Sequence, residues 1–474
     1  MPAATKVCHV VFMPYPARGH INPVLILSKL LASEKNDILI TIVLTEEWHC
    51  TIASEVFPSN IWFATISNDV LPSAKLQAAD TSAFFSAVKH MDVGGKWIKC
   101  LLLHHGSVHN GFEHILDQLD PPATTIITDN ALAWAVEAGY SRNIPVGLFW
   151  VMSVTSFTIL HHCDDLFEKG IPKNMEENVG DTIVDFIPGI PSIHVADLPY
   201  ICPKNDQVFT LMRWVPKFPS SKVKYQLFNT IYELESQVCD AIKEKLEYPV
   251  YSVGPLIPYN ELDFKSSSNG YDQEHHYIEW LDSQPASSVL YISMGSLFSM
   301  SSAQMDEMVA GLKISGVQFL WVAREDTCRL QEDCRDLGLV VPWCHQLKVL
   351  NHSSVGGFLT HCGWNSIVEI TFTGIPVLTF PFVGDQITQS KQVVEDLKIG
   401  LRLKKEMGDK TLVTREEIAK TIQTLMNVDS SERKQFVKRA KEVQEICQAA
   451  MKKGGSSHTA LDAFIQNILQ GHAH

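Results

Sequence analysis

The chain predicts an α/β protein built from two doubly wound, Rossmann-like domains that face each other across a cleft. Three observations carry that expectation. At 474 residues the chain is longer than one hydrophobic core usually organises. Short apolar, β-branched runs alternate with longer stretches of helical apolar spacing, the pattern of βα units on a parallel sheet. That alternation breaks once, at a polar stretch, and then begins again.

The elements follow in order. Runs at 7–13, 38–44, 61–66, 124–128 and 145–150 read as buried strands. Between them, segments such as 23–32 and 134–141 carry apolar residues at helical spacing. The stretch 159–219 is irregular and rich in proline. Runs at 223–229 and 250–253 close the first half. Residues 254–276 are polar, hold Pro, Gly and three consecutive serines, and read as a linker. Strand-like runs resume at 289–294, 319–322, 356–360 and 377–381, and 414–427, 431–452 and 457–469 read as helices. The expected domains are therefore 1–253 and 277–455, joined by the linker. A closing helix within 456–474 is expected to pack back on the first domain.

Composition excludes several classes. Asp plus Glu number 53 against 39 Lys plus Arg, a formal charge of −14. Nonspecific nucleic-acid binding depends on Lys and Arg neutralising phosphates, so it is not expected. An anionic ligand must be held by local donors. No apolar run approaches the roughly 18 residues of a membrane span. The apolar run at 7–13 is short, contains His9 and lacks a following small-residue cleavage site, so no secretory signal is expected. Eleven cysteines, an odd number with no Cys-x-x-Cys pair, read as reduced thiols. The expectation is a cytoplasmic monomer.

The segment 343–386 concentrates chemistry. It holds Trp343, Cys344, Gln346, His361, Trp364, Asn365, Ser366, Glu369, Asp385 and Gln386. An indole face can stack on a base. A carboxylate such as Glu369 can accept from both hydroxyls of a ribose. His361-Cys-Gly-Trp-Asn-Ser366 follows a strand and opens a helix, which is a cradle for phosphate. Asp385 and Gln386 offer acceptors and donors to sugar hydroxyls. Read by residue type, the segment suits a nucleotide sugar. Ser293-Met-Gly-Ser296 follows the first strand of the second half, where Gly295 admits close backbone approach and Ser296 can donate to phosphate.

Two residues of the first half stand at strand ends. His20 follows the first strand after Gly19, and Asp129 is the first ionised group after the buried run 124–128. Ligands of doubly wound sheets bind outside these carboxyl ends. Histidine, with an ordinary pKa of about 6.5, can take a proton near neutrality. A carboxylate on its other nitrogen fixes the tautomer and stabilises the imidazolium. A plain helix-capping role for either residue is the alternative.

Absences narrow the chemistry. No Asp-x-Asp occurs, so the usual carboxylate pair for a diphosphate-bound divalent ion is missing. No Gly-x-Ser-x-Gly and no P-loop signature occur either. His345, His352, His361, Cys344 and Cys362 cluster in sequence, and His105 and His109 are spaced i, i+4, but the spacings do not match paired zinc ligands. No metal site is expected.

The order of residues across 343–386 resembles the plant signature box of the family 1 UDP-glycosyltransferases, and the resemblance extends over nearly the full length. Ser293–Ser296 resembles that family's Ser-Phe-Gly-Ser, with Met294 in place of Phe. The turn at Arg18-Gly19-His20 resembles a Gln-Gly-His pattern, with Arg18 in place of Gln. His345 stands where Pro is usual, and Ile370 where Gly is usual. The resemblance implies a GT-B fold, an N-terminal acceptor domain with 159–219 on the acceptor side, and a C-terminal UDP-sugar domain. It implies inverting transfer with His20 as base and Asp129 as its partner, UDP-glucose as co-substrate, and no cofactor. The first half carries Phe84, Phe85, Trp97, Trp134 and Phe149 with few charges, so the acceptor pocket is expected to suit a small lipophilic plant metabolite such as a flavonoid, terpenoid or hormone. Alternatives are C-glycosylation of a phenolic ring, a nucleotide-sugar epimerase or hydrolase, and a silent UDP-sugar binder.

Overall fold

In the computed structural model the first sheet has seven parallel strands: β1 (Cys8–Met13), β2 (Ile38–Thr45), β3 (Ile61–Ile66), β4 (Thr125–Asp129), β5 (Val146–Trp150), then, past a two-stranded ribbon of β6 (Ile183–Val184) and β7 (Ile193–His194), β8 (Tyr225–Phe228) and β9 (Val250–Ser252). The structure describes residues 7–34, 37–53, 55–66, 107–171, 182–199, 217–259, 272–295, 300–323, 327–405 and 412–470. The strand order is β3-β2-β1-β4-β5-β8-β9. Helices α1 (Arg18–Glu34), α2 (Glu46–Ile52), α3 (Ser107–Gln118), α4 (Ala133–Ser141), α5 (Val154–His161), α6 (Cys163–Glu168) and α7 (Ser236–Lys245) connect or flank these strands. The sheet is covered on both faces, which explains its near-continuous apolar strands. Along β1, Val10 and Phe12 join one core while Val11 and Met13 join the core on the opposite face.

After α8 (Asp272–Asp282) a second parallel sheet is built from β10 (Val289–Ser293), β11 (Gln318–Val322), β12 (Gly338–Val341), β13 (Val355–Thr360), β14 (Val377–Thr379) and β15 (Gly400–Arg402). Its order, β12-β11-β10-β13-β14-β15, is that of a doubly wound dinucleotide fold. Its helices are α9 (Ser302–Ser315), α10 (Thr327–Cys334), α11 (Gln346–Leu350), α12 (Trp364–Thr373), α13 (Gln386–Lys391), α14 (Arg415–Met426) and α15 (Ser431–Met451). The helix α14 opens on a capping box in which Thr414 and Glu417 satisfy each other's backbone N–H groups. The last helix, α16 (Ser456–Gln470), leaves the second sheet. Its Phe464, Ile465 and Ile468 join the core of β1 and β2 in the first domain. No helix among the described residues is long and apolar enough to cross a membrane.

Each sheet reverses its strand order once, between β1 and β4 and between β10 and β13. The two switch points are where ligands of this fold class sit. Polar contacts bridge the domains nearby. The Arg402 guanidinium meets the Asp197 carboxylate at 2.6 Å, and Gln392 donates to Thr155 Oγ1 and Glu235 Oε1 at 2.9 and 3.0 Å.

The structure departs from the sequence expectation in four places. The first helix begins at Arg18, several residues before Pro23, so His20 lies inside its first turn and the proline lies within the helix. The linker ends earlier than 276, because α8 begins at Asp272. The stretch from 159 is not irregular at its start, since α5 and α6 run to Glu168. Strands β12 and β15 were not expected; they are only four and three residues long and carry little pattern of their own.

Candidate active site

The carboxyl ends of β1 and β4 lie side by side, with Met13, the last residue of β1, opposite Thr128, the residue before the end of β4. The chain then leaves both strands on the same side of the sheet. That places His20, in the first turn of α1, beside Asp129, the last residue of β4. His20 Nδ1 lies 2.6 Å from Asp129 Oδ2. The other carboxylate oxygen, Oδ1, accepts from the Ala131 backbone N–H at 2.9 Å. Asp129 is thus both histidine partner and turn-former. Its side chain is 5% exposed and that of His20 is 23%. An ionised carboxylate only accepts, so the bond assigns the proton to Nδ1 and leaves the Nε2 lone pair free to take another. The Tyr15 ring packs 5.1 Å from the imidazole. Burial, then the Asp129 charge, pushes the Tyr15 phenol up to about 12, so it stays neutral beside the pair.

The facing domain supplies the other wall. The turn after β10 and the turn after β13 meet around His361. A Cβ on Gly295 (φ +79°) or on Gly363 would come within 2.4 Å of its Nε2, so only glycines let the backbone close on this ring. Cys362, in the left-handed region at φ 66°, turns its side chain into the core and starts the bend into α12. Gly363 caps α12 without any side-chain oxygen, so the first N–H groups of that helix have no side-chain acceptor. Helix N-termini of this kind hold phosphate.

A polar chain runs from β10 through the start of α11 to α12. The Tyr291 hydroxyl donates to Gln346 Oε1 at 3.1 Å. Gln346 Nε2 then donates to Ser366 Oγ at 2.9 Å and to Glu369 Oε2 at 2.5 Å. Desolvation pushes the Glu369 carboxyl up to about 7, partly offset by the Gln346 bond. Desolvation also raises Asp385, to about 6, while its own backbone N–H, His20 and Gln389 act the other way. The influence of His20 means that Asp385, in the second domain, stands near the first-domain histidine. Trp343 is 48% exposed and packs edge-on against His345 at 4.5 Å, leaving an indole face to solvent.

The structure gives several of the sequence-based site residues partners within the protein. The Cys344 thiol faces the Tyr291 hydroxyl at 3.4 Å inside the core, and burial pushes it up to about 12; it is not presented as a ligand. The Trp364 indole N–H donates to the Asn229 carbonyl at 2.6 Å, so this residue docks the domains. Asn365 Nδ2 donates to the Gly19 carbonyl at 2.9 Å, again across the domains. Gln386 Oε1 accepts from the Phe382 and Val383 N–H groups at 2.8 and 3.1 Å, so only its amide nitrogen is left for a sugar. Trp134 packs edge to face on Phe112, and Phe149 lies in the β1–β2 core at 1% exposure; both are core residues and not an acceptor wall. Arg18 is exposed. Ser296, Phe84, Phe85 and Trp97 lie outside the described residues. Tyr291 and Tyr15 were not singled out from sequence, where Tyr291 reads as an ordinary aromatic within a strand and Tyr15 as one just after a strand. Among the described residues no group of three or more His, Cys, Asp or Glu side chains is placed to hold a metal ion.

A profile described as UDP-glucoronosyl and UDP-glucosyl transferase matches residues 246–438. UDP-glycosyltransferase 87A2 of Arabidopsis thaliana is 40% identical over 97% of this chain and 96% of its own length. The chain belongs to the plant UDP-glycosyltransferase family. The (R)-mandelonitrile beta-glucosyltransferase of Prunus dulcis, another relative, is 31% identical over 97% of both chains. A solved Phytolacca americana glycosyltransferase, complexed with UDP-2fluoro-glucose and pterostilbene, is 25% identical and superposes with a TM-score of 0.77 over 97% of this chain and 99% of that one. The architecture is therefore GT-B, and the activity is transfer of a glycosyl group from a UDP-sugar to small plant molecules.

Proposed function

We propose that the chain transfers glucose from UDP-glucose to a hydroxyl group of a small lipophilic plant metabolite, inverting the anomeric carbon. The observation that carries this is the 2.6 Å His20–Asp129 bond, which leaves Nε2 to act as a base. The acceptor oxygen attacks the anomeric carbon as Nε2 takes its proton. The bond from that carbon to the β-phosphate oxygen breaks, and UDP leaves with the electron pair. Asp129 offsets the charge that forms on the imidazole. Trp343 stacks on uracil, Glu369 accepts from the ribose, and His361, Ser366 and the α12 N-terminus face the diphosphate. Asp385 and the Gln386 amide nitrogen read the sugar. Oriented donors of this kind stabilise a leaving diphosphate without a divalent ion. Two relatives' names support the reading: a Prunus beta-glucosyltransferase acts on a small nitrile alcohol, and the Phytolacca protein binds a fluoroglucose donor with a phenolic stilbene. A cytoplasmic monomer without cofactor belongs to the same reading.

The test is a screen of UDP-glucose against phenols and terpenols, with and without EDTA. Acid-labile β-glucosides formed equally in both conditions are expected. Acid-stable C-glycosides, free glucose alone, or loss of turnover restored by Mg²⁺ would each contradict it.

The Glu369 carboxyl also gives UDP-glucose binding a pH dependence. The group is raised to about 7, so it is mostly protonated at pH 6 and mostly ionised at pH 8. Only the carboxylate accepts fully from both ribose hydroxyls. UDP-glucose, whose phosphates do not titrate in this range, should bind about tenfold more tightly at pH 8 than at pH 6. Calorimetry across that range checks it. Glu369→Gln should remove most of the dependence and leave the smaller part that Asp385, raised to about 6, contributes through the sugar; a wild-type curve that is already flat would exclude the carboxylate as the ribose acceptor.

A further inference from the structure

We propose that Pro23 is a positioning residue for His20. It frees the Gly19 carbonyl from its helix and hands it to Asn365 of the facing domain, tying the histidine's turn to the donor helix. This rests on the reading of His20 as the base.

The argument begins with helix bonding. In α1 the Ile21 N–H reaches the Ala17 carbonyl at 2.9 Å, so the i to i−4 ladder starts there. Two residues later the ladder would require residue 23 to donate to Gly19. Residue 23 is proline and has no N–H, and a proline ring crowds the carbonyl four residues back and tilts it away from the axis. Pro23 is past the first turn, where proline would cost a helix little. It removes a real bond, and helices bear that only when something compensates.

The compensation lies in the other domain. Asn365, second residue of α12, donates from Nδ2 to the Gly19 carbonyl at 2.9 Å, across 346 residues of sequence. Its neighbour Trp364 donates to the Asn229 carbonyl at 2.6 Å, so two successive side chains at this helix end dock on first-domain carbonyls. Asn365 Oδ1 is buried without a protein partner, which leaves the Gly19 bond to orient the amide. The consequence for catalysis follows from peptide planarity. The Gly19 carbonyl and the His20 N–H share one rigid unit. Fixing the carbonyl fixes that plane, and with it the direction in which His20 leaves the backbone. The base is thereby held relative to the helix end that receives the leaving phosphate.

Pro23→Ala separates this role from a structural one. The variant regains the helix bond, so its melting temperature should stay level or rise by about 2–4 °C. UDP affinity by calorimetry should stay within about twofold of wild type. Turnover of a hydroxyl acceptor should fall about tenfold, since small misplacement of a reacting group is expensive. Asn365→Ala should also slow turnover, and the double variant should be no slower than the slower single variant, because both remove one interaction. Wild-type turnover in Pro23→Ala, losses that multiply in the double variant, or a lowered melting temperature would each overturn the proposal. His20→Ala is run alongside. If it keeps normal turnover, the base reading falls and the positioning role falls with it. If it is inactive while Pro23→Ala is normal, only the positioning role is lost.

Discussion

His20→Ala should lower turnover of an alcohol acceptor by about 10²–10⁴-fold, the usual worth of a positioned general base. Its affinity for UDP should be nearly unchanged, because His20 stands on the first domain while the base-stacking, ribose and phosphate groups stand on the second. Asp129→Asn should also slow turnover, by no more than His20→Ala. An asparagine has one acceptor oxygen where the carboxylate uses two, so if that oxygen keeps the Ala131 N–H its amide nitrogen faces His20 Nδ1, favours the wrong tautomer and cannot offset the imidazolium. Steady-state kinetics and UDP calorimetry on the same preparations check both. A His20→Ala enzyme that binds UDP poorly and turns over normally what it binds would reverse the roles assigned to the two domains.

Glu369→Ala and Asp385→Ala should differ in which ligand they weaken. Glu369 sits on α12, bonded to Gln346, at the position assigned to the ribose. UDP and UDP-glucose both carry that ribose, so both should weaken. Asp385 stands near enough to His20 to feel it, at the position assigned to the attacked sugar. Its loss should weaken UDP-glucose and leave UDP nearly untouched. A charge-assisted hydrogen bond contributes roughly 1.5–3 kcal/mol, so each affected affinity should fall about tenfold or more. Equal weakening of UDP by both variants would mean that the order of groups along the donor is wrong.

The alternation of strands and helices carried most of the fold, because parallel strands covered on both faces are almost unbroken apolar runs. Asp129 was legible as the first ionised group at the end of a buried run, and His20 as a histidine after the glycine that follows the first strand. What was not legible depends on contacts between distant segments. Pro23 reads as a first-turn proline, which set the start of α1 too late; only the cross-domain bond to Asn365 shows why it can lie inside. Trp364 and Asn365 read as donor ligands, but no local pattern reveals that Asn229 and Gly19 face them. Phe149 and Trp134 read as pocket aromatics, yet a buried run does not say which face of the sheet its rings join. Tyr291 was hidden for the same reason: inside an apolar strand its hydroxyl gives no sign that it orients Gln346.

The most direct measurement of the claim that His20 removes the acceptor proton is the rate ratio of wild type to His20→Ala on two acceptors from the screen. One is an aliphatic alcohol and the other a phenol acidic enough to ionise near neutral pH. A base is needed only where the acceptor arrives protonated, so the ratio should be large for the alcohol, on the order of 10²-fold or more, and should collapse toward unity for the phenol as pH rises through the phenol's own pKa. The same large ratio for both acceptors at every pH would show that His20 acts by binding or packing, and would contradict its role as the base.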